Sequence, residues 1–335
     1  MTVGAAWRDG IKRVNAAPLV LAGMFAVTLL VALPLSMALR GMIEAHLDDS
    51  LTAGAVADGN DLDWLNEFAS QASGLGTTLV PSIVGSSAVL DNLSGLLDNL
   101  PMAATIAGVT TAWMVIWSFL SGGVLDRYAR QRPTRTHGFF AACGTNFWRF
   151  LRLGVLAWLA YGFLFWLMHP WLFGELYPWL TRETTVERTA FLVRAILYLV
   201  FGALLIACNL VFDYARIRIV VEDRHSAIGA LVAGARFVGR HGGAARLYLL
   251  NAAMFLVLVI VYAIVSPGAP GGLAIWIALA IGQIYILLRH YVKLLFYASQ
   301  TAYFQGALAH AAYTAAPQVE WPDSPAAESI GSLQP

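Results

Sequence analysis

Two short runs hold the residue types best suited to chemistry at a phosphate or another anion. Asp126-Arg-Tyr-Ala-Arg-Gln-Arg132 and Asp213-Tyr-Ala-Arg-Ile-Arg218 both give an acid followed by Tyr-Ala-Arg-x-Arg. Arginine presents a planar fork that engages phosphate oxygens two at a time. Arg130, Arg132, Arg216 and Arg218 are therefore candidate headgroup ligands at a membrane surface. The same runs can also pair internally, because residues three or four apart share a helix face, as in Asp126 with Arg130 and Asp213 with Arg216. Tyr128 and Tyr214 suit the headgroup boundary, with rings in lipid and hydroxyls wet. Structural anchoring is the preferred reading of these residues, and a specific lipid or ligand site is the alternative.

Other chemistry is hard to find. There is no Gly-x4-Gly-Lys-Ser/Thr phosphate loop, no His-Glu-x-x-His helix and no Gly-x-Ser-x-Gly elbow. The seven histidines are scattered, Cys143 and Cys208 lack a Cys-x-x-Cys spacing, and nothing marks a haem. Asp58-Gly-Asn-Asp-Leu-Asp63 has the composition of a calcium loop but not the EF-hand order. The expectation is a non-catalytic protein with no cofactor and no metal.

The elements that must position these runs are membrane spans. Of 335 residues, 59% are apolar and 12% charged, against roughly 25% charged in an ordinary soluble domain. A net charge of +1 excludes a polybasic nucleic-acid binder. A spanning helix needs about 20 mostly apolar residues, and six stretches qualify, at 18–39, 102–125, 153–173, 190–212, 247–265 and 273–292. The first follows Arg8, Lys12 and Arg13, as a secretory signal peptide would. Its apolar run exceeds a usual signal core, so it is read as a retained anchor.

Basic residues are unevenly shared among the loops. Six arginines lie in 126–152, six in 213–246, and Arg289 and Lys293 close the sixth span. Loop 41–101 has no Lys or Arg and nine acids. The positive-inside rule then places both termini in the cytoplasm. In the outer loop, Asp61 is a candidate N-cap ahead of Leu62, Trp64, Leu65 and Phe68, and a second helix is expected over 88–97. Residues 1–317 form one six-span domain, followed by a proline-rich tail, 318–335, expected to be disordered.

The two Tyr-Ala-Arg-x-Arg runs occupy equivalent exits from outside-to-inside spans, and Gly144-x-x-Phe147 matches Gly234-x-x-Phe237 downstream. The fold class is therefore an all-α integral membrane protein with six transmembrane helices and two parallel hairpin repeats. The repeats are joined by cytoplasmic amphipathic elbows in 126–152 and 213–246. In the second elbow Ser226 is an N-cap and Gly242-Gly243 a stop. Ile228, Leu231, Val232, Ala235 and Val238 make an apolar face, and Arg236 and Arg240 a basic pair. Covering the bundle's end is the preferred role of this elbow, and docking of a cytosolic ATPase through Arg236 and Arg240 is the alternative. Intramembrane polar residues are the other pointers to function. Arg194 can snorkel outward towards Glu187 or Glu175, while Asn209, Asn251 and Gln283 suit helix–helix hydrogen bonds. No carboxylate lies at a bilayer centre, against a proton-driven carrier with a buried acid relay.

The run Asp213-Tyr-Ala-Arg-Ile-Arg-Ile-Val-Val-Glu-Asp-Arg224 and the later Leu295-Phe-Tyr-Ala-Ser-Gln300 resemble an uncharacterised class of bacterial six-span inner-membrane proteins. The exit motif is also similar to the membrane domain attached to some glycerophosphodiester phosphodiesterases. The likeness covers about the last 130 residues, and with no phosphodiesterase domain present it implies a location and a fold but no activity. Two functions compete. The acidic outer loop with its apolar stretch favours an accessory or structural subunit, in contact with membrane lipids, other subunits or a second copy. The alternative is a permease-like transporter component, with the second elbow as the docking place for a cytosolic ATPase.

Overall fold

The structure is a computed structural model that describes residues 1–48, 50–51, 53–57, 61–80, 86–101, 104–266 and 273–312. The expected tail 318–335 and residues 58–60 of the calcium-like run lie outside them. Among the described residues every regular element is helical. Six of the helices are long and apolar enough to cross a membrane.

α1 (Val3–Asn15) is capped by Thr2, whose hydroxyl accepts from the Ala5 amide. It buries Ala6, Gly10, Arg13 and Val14, three or four residues apart, against the last of the spanning helices, Leu273–Ala307. α2 (Pro18–Leu47) is the first span, with proline at its start, where no donor is lost. The outer loop holds α3 (Ala53–Ala57), α4 (Leu62–Gln71), a 3₁₀ turn over Gly74–Thr78 and α5 (Ser86–Leu97). Asp61 caps α4 by accepting from the Trp64 amide at 2.8 Å. Trp64 and Phe68 are buried against His46 on α2, and the Trp64 indole donates to His46 at 3.1 Å.

α6 (Ala104–Arg130) and α7 (Thr136–Phe163) are the second and third spans. The third continues through two wide π turns, Leu164–Met168 and Trp171–Leu176, into α8 (Tyr177–Thr181). Pro170 sits between the π turns and cannot donate to a regular ladder. α9 (Glu187–Val221), α11 (Gly242–Val265) and α12 (Leu273–Ala307) complete the spans, with α10 (Ala227–Arg240) between α9 and α11 and α13 (Ala309–Ala312) last. Large apolar side chains such as Leu30, Trp166, Leu199 and Ile264 face outward, as hydrocarbon requires.

The best-packed core lies at the basic end of the bundle, where α1, α10 and the ends of α6, α9 and α12 converge. Gly10 makes the α1–α12 approach possible, since a Cβ there would meet the Ser299 Cβ at 2.7 Å. Gly234 does the same for α10 on α9, where a Cβ would meet Val211 O and Ala215 N at 3.0 Å.

Three sequence expectations change. The first elbow is not a separate element: α7 runs unbroken from Thr136, because nothing in it matches the extended His241 and Gly242-Gly243 that part α10 from α11. On α10 the protein-facing stripe is Ala227, Ala230, Gly234 and Phe237, while Ile228 and Val232 point outward. Small residues win this contact because the backbones approach closely. Tyr128 and Tyr214 are fully buried, and their hydroxyls have no hydrogen-bond partner among the described residues. The helices packed around the basic end cover the rings that the sequence placed in lipid.

Candidate membrane-embedded anion site

Of the intramembrane polar groups, Asn209 lines a cavity of about 440 Å³ between α6, α9, α11 and α12, while Arg194, Asn251 and Gln283 lie outside it. Its charged groups are Asp213 and Arg216 from α9 and Arg289 and Lys293 from α12, with Asn209, Trp117, Tyr248 and Tyr297 completing the polar lining. Asp213 lies about 12 Å before the end of α9 at 1.5 Å per residue, at the exit of the fourth apolar run.

Each group has a structural reason for its place. Asp213 is buried, accepts from Arg216 at 3.1 Å on its own helix, and accepts from Gln300 of α12 at 3.3 Å. Arg216 also donates to the Tyr297 hydroxyl at 3.2 Å, which accepts from the Trp117 indole at 3.2 Å. Trp117 and Tyr297 stack at 5.6 Å, tying α6 to α12. The Lys293 ammonium sits 3.7 Å from the centroid of the same indole ring, a cation–π contact strengthened by desolvation.

The charges do not balance. One carboxylate faces three cations. Arg216 is the cation it pairs with, and among the described residues neither Arg289 nor Lys293 has a carboxylate within ion-pairing distance. Arg289 is exposed at the rim and Lys293 is half-buried; a cation drawn into a protein without a partner is costly unless something anionic answers it.

The predicted pairs form: Asp126 with Arg130 at 2.7 Å and Asp213 with Arg216 at 3.1 Å. Their settings differ, however. Asp126–Arg130 is partly exposed, whereas Asp213–Arg216 belongs to the cavity. Asn209 donates to the Tyr248 hydroxyl at 2.7 Å and Asn251 to the Ser299 hydroxyl at 2.9 Å, so both bridge helices as expected. Gln283 is half-buried and has no such bond among the described residues. Arg194 turns to Tyr198 and, at 4.0 Å, to Asp98 of the outer loop, rather than to Glu187 or Glu175. The Tyr198 hydroxyl itself donates to Asp98. His169 and Asn99 add bonds to Leu97 O and Phe165 O, so the end of the acidic loop is fastened to the third and fourth spans.

No protein family, curated protein or solved structure matches the chain. Function must therefore be argued from the site itself.

Beyond the cavity, Glu222 just past α9 joins Arg218, Arg224 and His310. Burial raises its pKa, but hydrogen bonds from His310 and Arg224 and the charge of Arg218 outweigh this and hold the carboxyl below its ordinary range. Arg236 and Arg240 stand exposed on α10. Arg132 lies in the turn after α6. Among the described residues no three His, Cys, Asp or Glu side chains gather as a metal set would.

The reading from sequence missed Trp117, Arg289, Lys293, Tyr297 and Gln300 as site members. Tyr297 and Gln300 stand in the Leu295–Gln300 run that carried the resemblance. Arg289 and Lys293 are one helical turn apart on the sixth span, a spacing that puts both on one face.

Proposed function

We propose that the chain is a non-catalytic, permease-like protein of a bacterial inner membrane. Its basic end and both termini lie in the cytoplasm, and it binds an anionic substrate in the α6–α9–α11–α12 cavity. The observation that carries this reading is the uneven charge of the cavity, where Arg289 and Lys293 face a space whose one carboxylate already holds Arg216. A phosphate or carboxylate group would complete that set, with Lys293 as a point charge and Arg289 as a fork. The hydrogen-bonded frame of Asp213, Gln300, Tyr297 and Trp117 keeps the cations in place before the ligand arrives.

The parallel repeat belongs to this proposal. Tyr128 and Tyr214, and the alanines after them, are equally buried at the ends of α6 and α9. Hairpins entering and leaving in one sense are related by an axis along the membrane normal, as in parallel-repeat carriers.

Site-directed labelling tests the cavity. Phe255 lines it from mid-α11, so Phe255→Cys in a Cys143→Ala/Cys208→Ala background reports access. Millimolar inorganic phosphate or citrate is expected to slow maleimide labelling of this cysteine, and Lys293→Met to abolish the protection. Equal labelling with and without both anions would overturn the reading.

A second reading, an accessory subunit, rests on a different observation. α5 and the residues after it leave Leu90, Leu93, Leu96 and Leu100 about half exposed in the outer loop. Native mass of the detergent-extracted complex separates the two readings, since a subunit co-purifies with a stoichiometric membrane partner and the carrier does not require one.

A further inference from the structure

A second basic concavity lies outside the bundle core, between the end of α9 and the outward side of α10. It encloses about 540 Å³ and is lined by Arg218, Arg224, Arg236, Arg240 and His241, with Gly229 and Val232 on its apolar side. Four guanidinium groups meet here, against the single carboxylate of Glu222 behind them.

The four arginines are not equivalent. Arg218 is fixed: Glu222 accepts from it at 3.0 Å, and its guanidinium lies 5.8 Å from the Phe237 ring and 5.1 Å from the Phe304 ring. Its Nε is buried without a partner among the described residues, and a buried donor left unmatched calls for an acceptor. Arg224 shares Glu222. Arg236 and Arg240, one turn apart on α10, make no ion pair with a described carboxylate. On that outward side Ile228 and Val232 precede them, both exposed. Basic forks beside exposed aliphatic side chains, at the end of a spanning bundle, suit the boundary between headgroups and acyl chains.

We propose that this concavity is a phosphate-binding site, in which Arg236 and Arg240 grip the phosphate oxygens and Arg218 and Arg224 flank them as a positioned cationic wall. The ligand class is a phosphate monoester or diester, supplied either by an anionic phospholipid of the adjoining leaflet or by a soluble phosphate compound. The site is independent of the membrane-embedded cavity, sharing no lining residue with it.

Native mass spectrometry of the full chain in mild detergent tests this, with dioleoylphosphatidylglycerol, dioleoylphosphatidylcholine and inorganic pyrophosphate as probes. The phosphatidylglycerol adduct is expected to persist at about tenfold lower lipid than the phosphatidylcholine adduct. Arg236→Gln/Arg240→Gln should weaken it by about tenfold or more, because both charge-assisted forks are lost. Arg289→Gln/Lys293→Met should leave it unchanged. Binding of pyrophosphate but not phosphatidylglycerol, sensitive to the same α10 pair, assigns the site to a soluble phosphate. Should the glutamine variant fail to elute as a folded species, Arg236→Lys/Arg240→Lys keeps the charge without the fork and is expected to lose several-fold. Wild-type retention of both phosphate probes by a folded α10 variant would overturn the site. So would equal retention of the two lipids with no pyrophosphate bound.

Discussion

Lys293 on α12 places its ammonium 3.7 Å from the centroid of the Trp117 ring on α6, on the cavity side of the bundle. The contact joins two spans far apart in sequence and gives the Lys293 cation an aromatic face in place of water. Trp117 makes three contacts with two neighbours, stacking on Tyr297, donating to its hydroxyl and receiving Lys293. Trp117→Leu is therefore expected to destabilise the protein by about 2–4 kcal/mol through the lost volume and the lost cation–π contact. Thermal unfolding in detergent, followed by size-exclusion fluorescence, measures it.

Among the described residues Asp213 is the single negative charge lining the cavity. Asp213→Asn leaves the Arg216 guanidinium without its carboxylate, and removing one partner of a buried pair costs about 3–5 kcal/mol. Arg216→Gln in the same chain is expected to recover part of that loss. A double-mutant cycle on unfolding free energies checks the coupling, and additivity would show that the two side chains do not act together.

The glycines of the two aligned runs differ in what surrounds them. Gly234 has backbone atoms of α9 at 3.0 Å from where a Cβ would sit, whereas Gly144 has open space. Gly234→Leu is expected to cost at least about 1–3 kcal/mol by overpacking, and Gly144→Leu close to nothing. Gly10→Leu should resemble Gly234→Leu, because Ser299 blocks it. Parallel melting curves of the three variants decide.

Acid should weaken the loops at both ends. The Tyr198 hydroxyl holds Asp98 below its usual pKa, and the Arg149 guanidinium does the same for Asp223. Glu222 is held down by the hydrogen bonds and charges around it against its burial. A depressed folded pKa means that the unfolded chain binds more protons, so the stabilisation is complete above the ordinary carboxylate range of about 4 and fades as pH falls through the folded values. The unfolding midpoint should be nearly level from pH 7 to about 5 and drop below that. In Glu222→Gln the drop should be shallower.

Much of this architecture is legible in the chain. The six apolar runs, the Asp61 and Ser226 caps, and the asparagine bridges at 209 and 251 all follow from local pattern, because lipid demands continuous apolar helices with internally satisfied backbones. What local pattern does not contain is which faces meet. Tyr128 and Tyr214 read as interfacial because their neighbours are basic, yet the packing of α1, α10 and α12 buries the end of the bundle where they stand. α1 itself reads as a basic flank, although Ala6, Gly10 and Val14 already carry its helical spacing. The cavity is the least legible part, since Trp117, Asp213 and Lys293 come from three spans and only tertiary packing brings them together.

The most direct test of a permease-like cavity is its access from both membrane faces. In sealed vesicles of each orientation, Phe255→Cys without the two native cysteines would be treated with a membrane-impermeant maleimide from one side at a time. A carrier predicts labelling from either side, with phosphate or citrate slowing both reactions and Lys293→Met removing that protection. Labelling confined to one side, unaffected by either anion, would contradict a transport cavity.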